Sequence, residues 1–506
     1  MASFAEAAKA LAAQKMTTTD NGALTHATTT SARVDLFAGV LRGTSLNDLE
    51  AKLVASYAED PLHTLKIIAY IRDIRGGKGE RLLGRQALAW LATHDTRALL
   101  HNLEHYVSVY GRYDDLLALV GTPAETFALS IFAQQLKKDL AALHDGKPIS
   151  LCAKWVPSEN KKADKKDHVN GKLAKLLNVR SAELRKTYLS PLRKSLTLLE
   201  SLMCAKEWEK INLNKVPSVA MKNHGKPKHA FERHLPDAFA TWKAGLKTGE
   251  TKVNAAVLYP HQIVDAYYNG QPKDELLEAQ WAVLETATRA LGTLTQTLVM
   301  SDVSGSMSGT PMQVSIALGI MVSSIVSDEF HNLVLTFESS PRFHHIDGDS
   351  LHAKVKSLRG APWGGSTDFA AAFRAVIHLG VSKQIPRERM PKKLIVVSDM
   401  QFDRADRNFE TNYAVLAKEF AAANYDVPHL VFWNVNGNAM DFAALATQAS
   451  VSLISGFSPN VLKAVLAGED APTPFQTMLT ALLDVRYDLI TLPPEAADAD
   501  LGFELV

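Results

Sequence analysis

The run Asp302-Val303-Ser304-Gly305-Ser306 holds one carboxylate and two hydroxyls at alternating positions, three hard oxygen donors within five residues. Hard oxygens suit Mg²⁺, Mn²⁺ or Ca²⁺ rather than softer metals. Two later runs offer the same chemistry. Trp363-Gly364-Gly365-Ser366-Thr367-Asp368 brings Thr367 as a fourth oxygen, and Ile395-Val396-Val397-Ser398-Asp399 ends an apolar stretch in a carboxylate, a fifth. These residues predict a divalent cation, Mg²⁺ in the first place and Mn²⁺ or Ca²⁺ as alternatives. The plain alternative is a set of helix caps and a strand-end Asp with no metal.

Donors so far apart in the chain meet only if the fold brings them to one edge. From about residue 294 the pattern supplies such a fold. Thr295 to Met300, Leu333 to Phe337, Leu394 to Val397 and Val427 to Trp433 read as strands, and the last three are continuously apolar or nearly so. Met312 to Ser327, Phe369 to Leu379, Ala414 to Ala423 and Pro459 to Leu466 read as helices between and after them. Alternation of this kind predicts a doubly wound, mostly parallel sheet, and ligands in such folds sit at the carboxyl ends of strands near the topological switch point. Asp302 and Asp399 are expected there.

Before this region the texture is helical. Apolar residues recur at spacings of three and four (Leu53, Val54, Tyr57; Leu65, Ile68, Ala69, Ile71; Leu82, Leu83, Ala87, Leu88), broken at Asp60-Pro61, Arg75-Gly76-Gly77, Thr93-His94-Asp95 and Tyr110-Gly111. Stacked helix pairs of a HEAT-like repeat, open or closed into a ring, are the expected architecture. The division falls near Gly292, giving a helical domain at 1–288 and an α/β domain at 289–506. A chain of 506 residues is long enough for two large domains or three ordinary ones.

Charge is unevenly spread. The whole chain carries a formal +1, yet Lys154 to Lys247 holds 21 Lys/Arg against 9 Asp/Glu. Such a block is the footprint of a polyanion site, or simply a solvated face. Lys154 beside Trp155, and Lys222, Lys226 and Lys228, are its candidate contacts. Earlier in the chain, Lys78 and Arg81 flank a Gly-rich interhelical turn that could touch phosphate but lacks the P-loop spacing. Tyr110-Gly111-Arg112-Tyr113 offers Arg112 and aromatic faces for unpaired bases, unless the tyrosines pack between helices.

The order Asp-x-Ser-x-Ser, then Thr, then Asp, on alternating strands and helices, resembles the metal-ion-dependent adhesion site of von Willebrand factor A domains. The resemblance implies Asp302, Ser304, Ser306, Thr367 and Asp399 as ligands, directly or through water. The remaining position would go to water or to a carboxylate of a partner protein, so the site would bind rather than catalyse. The usual turn of that family reads Gly-Gly-Thr-Asp, whereas Ser366 stands here before Thr367; Thr367 is preferred because Asp368 follows it in register. Asp403 reads as a surface residue. A helical half followed by an A domain also resembles the layout of the TROVE family of Ro ribonucleoproteins, in which a ring of helical repeats binds misfolded RNAs and small Y RNAs. A closer likeness is to a family of plants, bacteria and large DNA viruses that carries no assigned activity. It rests on the strings Asp73-Ile74-Arg75-Gly76-Gly77-Lys78-Gly79-Glu80-Arg81, Tyr110-Gly111-Arg112-Tyr113-Asp114-Asp115-Leu116, Lys154-Trp155-Val156-Pro157-Ser158 and Met203-Cys204-Ala205-Lys206-Glu207-Trp208. RNA is the expected partner, with an acidic protein ligand or a structural role as alternatives.

Other chemistries find no support. A phosphatase of the haloacid dehalogenase type needs a second Asp two residues after the first, and Ser304 stands there. No nucleophile elbow and no metal-spaced histidine cluster is present, so no enzymatic activity is expected. Cys152 and Cys204 lack zinc spacing and cannot form a disulfide framework. No apolar run reaches the ~18 residues of a membrane span, and the N-terminus does not read as a signal peptide. A cytoplasmic location is therefore expected.

Overall fold

The computed structural model describes residues 16–336, 340–361, 368–402, 412–438, 441–467 and 471–494. The helical half begins with α1 (Ala32–Gly39), α2 (Leu46–Glu59), α3 (Pro61–Arg72), α4 (Arg81–His94), α5 (Thr96–His105) and α6 (Glu125–His144). Ser31, Ser45, Asp60 and Asp95 cap α1, α2, α3 and α5, each side chain accepting a backbone N–H of the first turn. Caps of this kind contribute about 1 kcal/mol each. Asp60 and Asp95 each end one helix and cap the next, so those junctions are single residues and sequence neighbours pack directly. The region after α6 breaks into short helical pieces before α7 (Ser218–His224), α8 (Pro236–Thr248), α9 (His261–Tyr268) and α10 (Glu275–Arg289).

The α/β half is a six-stranded sheet in the order β5-β4-β3-β6-β7-β8: β3 (Thr297–Ser301), β4 (Leu333–Thr336), β5 (Phe343–His345), β6 (Lys393–Ser398), β7 (His429–Asn434) and β8 (Val451–Ser455). All neighbours run parallel except β5, which returns antiparallel along β4. The chain builds outward from β3 to one side, then crosses to β6 on the other. The switch point therefore lies between β3 and β6. Strands β3, β7 and β8 are buried at every residue, as strands covered on both faces must be.

Helix α11 (Thr310–Ile325) accounts for the most apolar run of the sequence. It packs on β3 and β6 with one side and on α9 and α10 of the helical half with the other, as well as on α12 (Leu351–Arg359). A helix covered all round needs no polar face, and from Val314 to Ile325 every residue is buried. One apolar cluster thus runs through both halves, from Leu36 and Ile68 to Val299 and Trp433. A second, smaller cluster gathers Met221, Phe231, Phe239 and Trp242. The chain then continues through α13 (Phe369–Ser382) and returns to the helical half: α14 (Pro474–Leu482) packs on α1 and α3. Beyond it Arg486 bridges Asp73, and Tyr487 stacks on Tyr110 at 5.4 Å.

Two expectations need correction. Residues 16–26 are not helical but an antiparallel hairpin, β1 (Met16–Thr18) and β2 (Leu24–His26). Its strands are too short to show a period, and their partners lie in the α/β half: Thr19 Oγ1 donates to the Phe402 carbonyl at 2.7 Å, and His26 bridges Phe442. His344-His345, which reads as a surface strand or turn, lies in the three-residue β5, whereas β8, interrupted by two serines, gives no strand pattern in the sequence.

Candidate metal centre and basic surface

Asp302 leaves the end of β3 and Asp399 the end of β6, on either side of the switch point. Asp302 is fully buried. Its Oδ1 accepts the Ser304 amide at 2.9 Å and its Oδ2 accepts the Ser398 hydroxyl at 2.5 Å. Ser304 Oγ and Ser306 Oγ lie 3.0 Å apart. The Ser306 hydroxyl in turn bonds the Asp399 carboxylate, whose Oδ1 also accepts the Gln401 amide at 3.2 Å. Asp302, Ser304 and Asp399 are buried while Gly305 and Ser306 are exposed, so the cluster opens outward at Ser306.

Burial pushes the Asp302 carboxyl up to about 6; the Ser398 hydroxyl works against this and the nearby Asp399 charge adds to it. Burial raises Asp399 as well, against its bond from the Gln401 amide. Neither carboxylate has an ion-pair partner among the described residues. Two buried carboxylates and two hydroxyls without a counter-cation fit a hard dication, which would replace the missing positive charge. Among the described residues no group of three or more His, Cys, Asp and Glu is placed to hold a metal; the cluster at the rim is of another kind, two carboxylates completed by hydroxyls. Thr367 and Asp403 lie outside the described residues. Asp368, next to Thr367, caps α13 by accepting the Ala371 amide at 2.7 Å. Sequence reasoning missed Ser398, which orients Asp302, although it stands directly before Asp399.

The hairpin β1–β2 sits beside this rim. The Asp20 amide donates to Gln401 Oε1 at 2.7 Å and Asn21 Nδ2 to the Gln401 carbonyl at 2.8 Å, which ties the hairpin to Gln401, two residues after Asp399.

The predicted RNA contacts scatter, and Lys78 is a correction. It is 1% exposed, and its Nζ donates to the carbonyls of Phe37 and Val40 and to Ser455 Oγ of β8 at 2.7 Å. The turn is too tight to hold it outward: a Cβ on Gly77 would stand 2.2 Å from the Tyr70 carbonyl, and Gly79 adopts φ +71°. Lys78 joins the two halves and is closed to phosphate. Asp73 of the same string also crosses to the other half, taking Arg486 and the Tyr487 hydroxyl, while Gly79 accepts from Tyr259 within the helical half. Arg81 is exposed with no ion-pair partner among the described residues. Arg112 pairs with Asp114 and lies 4.3 Å over Trp155; Lys154 pairs with Glu200 and lies 5.5 Å from the same ring. Tyr110 is buried, and Asp115 beside it takes Arg72 and Arg85 in a buried ion-pair knot. Lys222 and Lys226 line one cavity, and Lys228 is exposed. No Lys or Arg of the block from 154 to 247 is buried, and only six are ion-paired among the described residues.

A family model described as a domain of unknown function (DUF2828) matches residues 19–124 and 126–294, more than half of the chain, and a second (DUF7788) matches 296–480. An uncharacterized protein of Acanthamoeba polyphaga mimivirus, L728, is 31% identical over 516 aligned positions, covering 95% of this chain and 89% of the relative. The crystal structure of the Deinococcus radiodurans RO (RSR) protein is similar at a TM-score of 0.48 and 16% identity, over 90% of this chain and 99% of that one. Among the described residues no helix is long and apolar enough to cross a membrane. The chain belongs to the DUF2828 family, its helical half being that domain and its α/β half carrying the DUF7788 match.

Proposed function

We propose that this protein binds RNA through the basic surface of its helical half and holds a divalent cation, Mg²⁺ in the first place, at the rim of its α/β half. The observation that carries the RNA reading is the exposure of the block from Lys154 to Lys247: 21 Lys/Arg against 9 Asp/Glu, none of the cations buried and six of them ion-paired among the described residues. Unpaired surface cations gain most from a polyanion, because each phosphate neutralised releases condensed counterions. Arg112 and Lys154 around Trp155 add a half-buried aromatic face beside guanidinium and ammonium.

The test is filter binding of structured and single-stranded RNA between 50 and 200 mM salt. Binding that falls by about 10³-fold or more over that range supports the reading; no binding at the lowest salt overturns it. A second reading, capture of an acidic protein ligand by the bound cation, is favoured by the outward opening of the cluster at Ser306. Under it, Asp302→Ala loses a protein partner in a pull-down and leaves RNA affinity unchanged.

A further inference from the structure

We propose that the N-terminal hairpin β1–β2 is a strap whose docking is coupled to cation occupancy of the rim, with Gln401 as the positioning residue that joins the two. The inference deepens the cation reading by naming what occupancy of the rim controls, and rests on that reading.

The hairpin cannot hold itself. Its strands have three residues each, and an isolated two-stranded ribbon is at best marginally stable in water. Its order comes from the α/β half, at two places. Along β2, the Thr25 hydroxyl donates to the Phe442 carbonyl at 2.8 Å, and His26 exchanges two backbone bonds with Phe442 at 2.8 and 3.1 Å. At the turn, the Thr19 hydroxyl, the Asp20 amide and the Asn21 side chain all bond Gln401 or Phe402. Asp20, Asn21 and Gly22 are exposed, so polar bonds rather than apolar burial hold the tip. Segments held in this way open locally at a small cost in free energy.

Gln401 engages the rim and the tip at once. Its backbone amide donates to Asp399 Oδ1 at 3.2 Å and its Oε1 accepts the Asp20 amide. Its side chain also bonds the Asp441 carboxylate, to which only the Nε2 can donate. A change in how Asp399 is held is therefore transmitted to Asp20. Charge couples the same groups. Asp20, Asp399 and Asp441 have no ion-pair partner among the described residues. Burial raises the carboxyls of Asp399 and Asp441, and Asp20 is close enough for its charge to raise both further. Without a cation the tip brings a like charge toward the rim, which opposes docking; a dication at the rim turns that repulsion into attraction. Linkage is reciprocal, so a hairpin that docks more firmly with the cation present also raises the affinity for the cation.

The test is amide hydrogen exchange of the segment 16–26 in the full chain, chelator-treated and then saturated with Mg²⁺, beside calorimetric titration of Mg²⁺ into the same samples. Saturation is expected to slow exchange of this segment by about tenfold. Asp20→Asn, an exposed change that keeps the backbone bond to Gln401, should abolish most of that slowing and weaken Mg²⁺ binding. Gln401→Ala, which keeps the amide bond to Asp399, should leave the segment exchanging fast in both states and weaken Mg²⁺ binding as well. The inference is overturned if Mg²⁺ binds without slowing the segment, if the slowing is shared equally by the helices of the helical half, or if either variant keeps both the slowing and the affinity of the parent. Each of those results leaves the cation site standing. No binding of Mg²⁺, Mn²⁺ or Ca²⁺ by the parent sinks the cation reading and this inference together.

Discussion

Asp302 and Asp399 stand far apart in the chain and meet at one rim; Lys154, Lys222 and Lys228 stand in one basic block and go to separate places, beside Trp155, into a cavity and onto open surface. The difference lies in what each sequence signal encodes. A carboxylate at the end of an apolar strand has its position dictated by strand order, because β3 and β6 are neighbours at the switch point. A lysine in a charge-rich segment has no such coordinate. Local chain geometry decides whether it faces solvent, and at Lys78 the glycine turn around it sends it inward.

That contrast is broken most severely at Lys78. Lys78→Glu would set a carboxylate against the carbonyls of Phe37 and Val40 in a dry joint, and a loss of about 3–5 kcal/mol in chemical denaturation is expected. A loss below about 1 kcal/mol would mean that the joint is wet and the lysine reachable. The pH dependence sharpens the same point. Burial lowers the Lys78 ammonium to about 7, below its unfolded value near 10.5, so between these limits the unfolded chain holds the proton and the folded chain does not. Stability should therefore rise with pH from about 7 to 10, by at most ~1.4 kcal/mol per unit. Lys78→Met should flatten that rise; an unchanged slope would assign it to another group.

The basic block should respond in smaller, additive steps. Replacing Lys161, Lys162, Lys165 and Lys166, all exposed in the loop after Trp155, with Ala is expected to reduce the slope of log affinity for RNA against log salt by roughly 0.7–0.9 for each residue that contacts phosphate. An unchanged slope and affinity would make that loop a solvated face. The smallest effect is expected at Ser304→Ala, which removes one oxygen of the rim and leaves both carboxylates. The affinity for Mg²⁺ should fall about tenfold with stability within ~1 kcal/mol of the parent; unchanged affinity would remove Ser304 from the donor set.

The strands that frame the rim were legible because continuous apolar runs ending in Ser-Asp leave few other assignments: β6 was expected at Leu394 to Val397 and spans Lys393–Ser398. The convergence of Asp302, Ser304, Ser306 and Asp399 was legible for the same reason. The hairpin at 16–26 was not, because its stability comes from Phe402 and Phe442, far away in sequence. Nor was the role of the Asp73-to-Arg81 string, whose charges read as surface until α14 and the residues beyond it supply Arg486 and Tyr487 as partners.

The most direct test of the rim is calorimetric titration of Mg²⁺ into the chelator-treated full chain, compared with Asp302→Asn, which keeps the side-chain volume and removes the charge. One binding site in the parent, lost in the variant while its fold is retained, is the expected result. No binding of Mg²⁺, Mn²⁺ or Ca²⁺ by the parent, or equal binding by the variant, would contradict the assignment of Asp302, Ser304, Ser306 and Asp399 as a cation site.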